Sequence, residues 1–105
     1  MSRVKLYLSG PMTGFPDYNR PAFAAATALL RDAGYNVVNP GEHDLGSGAS
    51  WQAYLKRDLK MMLDCAAIAY LDNWADSHGA VLEITTARSL GMQAHPVQYY
   101  LRNFE

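Results

Sequence analysis

Ala66-Ala67-Ile68-Ala69-Tyr70-Leu71 is an uninterrupted apolar run ending at Asp72. A strand with one wet face alternates polar and apolar residues, whereas a strand covered on both faces does not, so this run predicts a doubly buried strand. Such strands belong to parallel sheets with helices above and below. The flanking segments fit that setting. Upstream, Ser50 is a plausible N-cap for a helix from Trp51 to about Leu63. Downstream, residues 72–76 form a loop, and Ser77 can cap a helix that ends at Leu90 before Gly91. Residues 93–97 make a short further strand, and residues 98–105 are an aromatic, partly charged tail.

Towards the N-terminus, residues 4–9 are β-rich and stop at Gly10-Pro11, which marks the first strand. A loop rich in Gly and Pro follows over residues 10–18. Pro21 suits a helix start, with Asn19 as a possible cap. Phe23, Ala26, Thr27, Leu30 and Ala33 recur at helical spacing, and Gly34 supplies the stop. Residues 35–39 form the second strand, ended by Pro40-Gly41, and a polar loop covers 42–49. The order β-α-β-α-β-α-β predicts an α/β fold: a single Rossmann-like (flavodoxin-like) three-layer domain over residues 1–105, with a mostly parallel four- or five-stranded sheet. Ligands of such sheets bind beyond the carboxyl ends of the strands, where the loops 10–18, 40–49 and 72–77 meet.

The 105 residues are 50% hydrophobic, enough for one core, and carry a formal net charge of −1. Without a basic face, a nucleic-acid polymer is not the expected ligand. The single cysteine, Cys65, excludes an intramolecular disulfide or a Cys-based zinc cluster and reads as a buried thiol. His43, His78 and His95 lie in separate elements without metal-ligand spacing, so no metal is expected. No run approaches the ~18 apolar residues of a membrane span. The apolar segment after Met1-Ser2-Arg3 is too short for a secretory signal, so a cytoplasmic protein is expected.

Some residues do not read as scaffold. Glu83 shares a helical face with Ala80, Ala87 and Leu90, an apolar setting for a carboxylate, although a Glu near a positive helix N-terminus is a sufficient structural reason. Asp58 stands in line with Trp51, Leu55 and Met62, the expected core-facing stripe of its helix. There it must be paired, hydrated in a cleft or functional, and Arg57 or Lys60 offers the pairing. Gly10 and Gly14 would let backbone approach a ligand, but the loop has neither the Gly-Lys-Ser/Thr of a phosphate-binding loop nor the three-glycine dinucleotide spacing. Ser77-His78-Gly79 opens a helix, where Ser77 serves as a cap or as part of an anion site. Tyr7 and Trp74 can stack a base or sugar, or belong to the core.

Tyr7-Leu8-Ser9-Gly10-Pro11-Met12-Thr13-Gly14, Arg57-Asp58-Leu59 and Asp72-Asn73-Trp74 with Ser77-His78-Gly79-Ala80-Val81-Leu82-Glu83 together resemble the nucleoside 2-deoxyribosyltransferase-like superfamily, especially its small uncharacterised branch common in phages and prophages. The resemblance implies that Glu83 is the nucleophile attacking the anomeric carbon of a deoxyribonucleoside and that Asp58 assists at the base. It places Tyr7, Gly10, Met12, Thr13 and Gly14 near the sugar, and Asn73, Trp74, Ser77 and Gly79 among the substrate contacts. True transferases carry an Asp for the free 5′-hydroxyl where this chain has Ser77. A related branch that hydrolyses 2′-deoxynucleoside 5′-monophosphates resembles this chain in having Ser there for the phosphate.

The implied function is cleavage or exchange of an N-glycosidic bond in a deoxynucleoside or deoxynucleotide, by hydrolysis or transfer, with no metal or organic cofactor. The implied partner is a small-molecule nucleoside or nucleotide, with no membrane. The resemblance also implies a homodimer or higher homo-oligomer, with the aromatic tail on its own core or near a neighbour's site. A non-catalytic nucleotide-sensing module would keep the glycine loop and Ser77 without needing Glu83. A structural or interaction protein would keep only the fold.

Overall fold

A computed structural model describes residues 3–46 and 48–102. Four strands, β1 (Lys5–Ser9), β2 (Asn36–Val38), β3 (Ala67–Tyr70) and β4 (Gln93–Pro96), form one sheet in the order β2-β1-β3-β4. Every pairing is parallel, with Leu6 opposite both Val37 and Ala67, and Ile68 opposite Ala94. The helices are α1 (Arg20–Asp32), α2 (Trp51–Leu63), α3 (His78–Ser89) and α4 (Val97–Arg102). No helix among the described residues is long and apolar enough to cross a membrane.

Alternation along the central strands divides the core into two layers. Leu6, Leu8, Ala67 and Ala69 face Phe23, Ala26 and Leu30 of α1 and Val97 and Tyr100 of α4. Tyr7 and Ile68 face the opposite way, onto Met62 of α2 and Ile84 and Ala87 of α3. The result is the expected α/β three-layer, flavodoxin-like architecture. The chain first moves outward from β1 to β2, then crosses β1 to place β3 on its other side. Beyond the carboxyl ends of β1 and β3 this reversal opens a crevice.

The local signals hold with some changes. Ser50 and Ser77 cap α2 and α3 by accepting from the backbone N–H groups of Ala53 and Ala80. Asn19 does not cap α1 with its side chain; its Nδ2 donates to the Pro11 carbonyl at 2.9 Å and ties the first loop together. The fourth strand stops at Pro96, and Val97 instead opens a helix that the tail's composition did not announce. That helix packs on the domain's own core: Tyr35 Oη donates to the Tyr100 carbonyl at 2.8 Å, and Tyr100 Oη donates to the Ile68 carbonyl at 2.7 Å. Residues 103–105 of the tail lie outside the described residues. Leu90, expected on the buried face of α3, is exposed at its end.

Candidate active site

The crevice is a cavity of about 560 Å³, a size suited to a small-molecule ligand. Its walls come from the β1–α1 loop, the segment after β2 and the first turns of α2 and α3. Tyr7, Gly10, Met12, Thr13, Asp58, Ser77, Gly79 and Glu83 all line it. Gly14, Asn73 and Trp74 are not among the lining residues. Trp74 instead packs over Tyr70, ring centroids 5.1 Å apart, against the core under α3. Gly14 has φ +87°, a turn conformation that accounts for the glycine without a ligand. Gly10 is constrained by space: a Cβ there would come within 2.9 Å of the Leu71 side chain.

Glu83 is 6% exposed, and both of its carboxylate oxygens are engaged. Tyr7 Oη donates to Oε2 at 2.8 Å and Ser9 Oγ donates to Oε1 at 2.7 Å. Residues two apart on a strand share a face, so β1 directs both hydroxyls at the helix above it. Burial pushes the Glu83 carboxyl up to about 7; the Ser9 and Tyr7 hydrogen bonds pull it down, and the charge of Asp58 pushes it up. Glu83 is thus a buried carboxylate rather than a solvent-facing one, and its position near the α3 N-terminus remains a structural reason for an acid there.

Asp58 resolves differently from the expected stripe. Trp51 is 42% exposed, and Trp51, Leu55 and Asp58 all line the cavity, while Met62 one turn later is buried in the core. The first half of α2 faces the crevice and its last turn faces the sheet, so one helical stripe serves both. Asp58 is paired as well as set in a cleft: it lines the cavity, and Oδ1 accepts from Arg57 Nε at 2.8 Å. Burial raises the Asp58 carboxyl, and the Arg57 hydrogen bond and charge oppose that rise. Arg57 also donates from Nη1 to the His43 carbonyl at 2.6 Å, which braces the segment after β2 against α2. Tyr54, hydrogen-bonded to Asp44, holds the same segment one turn earlier.

Sequence reasoning passed over Ser9, the Arg57 brace and the rim residues Tyr18 and Arg20. The Leu6-Tyr7-Leu8-Ser9 alternation carried a signal for the first, since it sets Ser9 on Tyr7's face. Asp17, Tyr18 and Asn19 all have positive φ, a left-handed turn without glycine that Asp and Asn tolerate and Tyr18 does not announce. Among the described residues, no group of three His, Cys, Asp or Glu converges as a metal site.

The fold has a solved counterpart. A structure reported for the 2-deoxyribosyltransferase of the psychrotolerant bacterium Bacillus psychrosaccharolyticus, described as a biocatalyst for nucleoside synthesis, superposes with a TM-score of 0.70 at 26% identity. The match covers 87% of this chain and 69% of that one. Comparison with curated protein sequences gives no match. A family model described as a domain of unknown function, DUF4406, matches residues 4–95, and on that match the chain belongs to the DUF4406 family.

Proposed function

We propose that this protein cleaves or exchanges the N-glycosidic bond of a 2′-deoxynucleoside or its 5′-monophosphate, with Glu83 as nucleophile. One observation carries the reading. A deeply buried carboxylate, oriented through both oxygens, shares a cavity with a second carboxyl, Asp58. The likeness to a 2-deoxyribosyltransferase supports the same class.

In the proposed first step a Glu83 oxygen attacks the anomeric carbon and forms a C–O bond. The C–N bond breaks with its electron pair passing to the base, and Asp58, protonated, delivers the proton that base requires. In the second step water or another base bonds to the anomeric carbon and gives up its proton to the now ionised Asp58, the C–O bond breaks, and its electron pair returns to Glu83. This is the two-carboxyl logic of retaining glycosidases applied to an N-glycoside. Upward pressure on the Asp58 carboxyl favours the protonated form the first step needs. Incubation with deoxynucleosides and their monophosphates, with chromatography for free base, tests the proposal; no base from any member would overturn it.

Asp58→Asn keeps shape but carries no transferable proton. We expect kcat to fall about 100-fold or more with KM little changed. A variant within about threefold of wild type would assign Asp58 to the Arg57 brace alone.

Ser77 favours the phosphorylated substrate. Its Oγ accepts from the Ala80 N–H at 3.2 Å, so its own O–H is available to donate into the cavity it lines. The α3 N-terminus adds partial positive charge there. Monophosphates are expected to bind more tightly than nucleosides, and Ser77→Asp to reverse the order by charge repulsion. Calorimetry giving equal affinities in both proteins would remove the phosphate from the proposal.

A further inference from the structure

We infer that Ser9 is a positioning residue for Glu83, one half of a hydroxyl clamp that fixes the orientation and ionisation of that carboxylate. The inference deepens the proposed function but stands on its own geometry. Ser9 is 1% exposed, the last residue of β1, and its Oγ reaches Glu83 Oε1 at 2.7 Å. A buried hydroxyl at that point costs desolvation unless it is paired, and Glu83 is the partner it has. Tyr7 holds Oε2 from the same face of the strand. With one donor on each oxygen, rotation about the terminal torsion of Glu83 is blocked, and both oxygens keep a fixed aspect toward the cavity.

The clamp also opposes the surroundings. Burial and the charge of Asp58, across the cavity on α2, both disfavour an ionised Glu83. Arg57, next to Asp58, spends its Nε on that carboxylate and an Nη on the His43 carbonyl, so it is not the counter-ion of Glu83. The two hydroxyl donors are what favour the charged form, and Ser9 is the first of them in effect. In the second half of the proposed reaction the electron pair returns to this carboxylate, and a donor already in place requires no reorganisation.

Ser9→Ala tests the clamp, with carbon-13 NMR of the Glu83 carboxyl as the readout. The midpoint should rise by about one pH unit, because a hydrogen bond to the charged form is lost. Ser9→Cys, a weaker donor of similar size, should fall between wild type and Ser9→Ala. An unchanged midpoint in Ser9→Ala would overturn the proposal. The titration requires no substrate, so it decides the clamp even if base release is never found. Where base release is found, the acid limb of kcat against pH should move up by the same amount and kcat should fall about tenfold, with KM little changed. A kcat loss without that movement of the limb would overturn the positioning role.

Discussion

Glu83→Ala is expected to lower base release by about four orders of magnitude or more, the scale on which loss of a covalent nucleophile is felt. The variant should fold with reduced stability, since it leaves the buried Ser9 and Tyr7 hydroxyls without the partner they have in Glu83 but keeps the Ile84 and Ala87 packing of α3 in place. The outcome separates the functional classes. An enzyme loses turnover while keeping affinity for the product base or nucleotide. A nucleotide-sensing module with the same cavity would bind its ligand unchanged and show no turnover to lose. Turnover close to wild type on a confirmed substrate would remove Glu83 from the chemistry. Glu83→Gln should share the defect, because an amide keeps the shape but is a far weaker nucleophile.

The fold was legible where a residue's surroundings follow from local pattern. An unbroken apolar strand at β3, serine caps before α2 and α3, and glycines after α1 and α3 each act within one turn or one strand, and each appears in the structure. The tail was not legible. Val97-Gln98-Tyr99-Tyr100-Leu101-Arg102 has no cap signal, and its helix is held by partners distant in sequence, among them Tyr35 and Ile68. Burial across 32 and 65 residues of separation leaves no local trace.

The candidate site was legible at its acids. A carboxylate on an apolar helical stripe conflicts with the stripe, and the conflict marked both Glu83 and Asp58. Which way each conflict resolves depends on what faces the stripe. For α3 it is β1, with two hydroxyls; for α2 it is the open cavity and its own Arg57. Trp74 shows the reverse case. A loop aromatic next to a cavity-facing helix left stacking and core packing both open by local pattern, and Trp74 lies half-buried over Tyr70, against the core and outside the cavity lining.

The buried acid also sets how stability depends on pH, whatever the substrate. Folding raises the Glu83 carboxyl from an ordinary 4.5 to about 7. Between those values the folded protein binds a proton that the unfolded chain has released, so stability falls as pH rises through that window and levels off above it. A shift of that size corresponds to about 3 kcal/mol. Asp58, also raised by burial, slopes the same way. The carboxylates pulled down by partners, Glu42 by Arg31, Asp44 by Tyr54 and Asp64 by Lys5, lose their contribution only as pH falls through the acid range, and their exposure makes it small. Glu83→Gln removes the titrating group. The amide keeps one acceptor, and one of the two hydroxyls must turn to accept from its NH₂, which offsets part of the gain. The variant should therefore be more stable than wild type at pH 8 by about 1–3 kcal/mol, on the order of 10 °C in thermal midpoint for a domain of this length. At pH 4.5 the two proteins should differ little. Thermal unfolding across pH 4.5–8.5 measures both; a wild-type profile flat over that range, or a variant less stable at pH 8, would show that Glu83 is not held by its burial near neutrality.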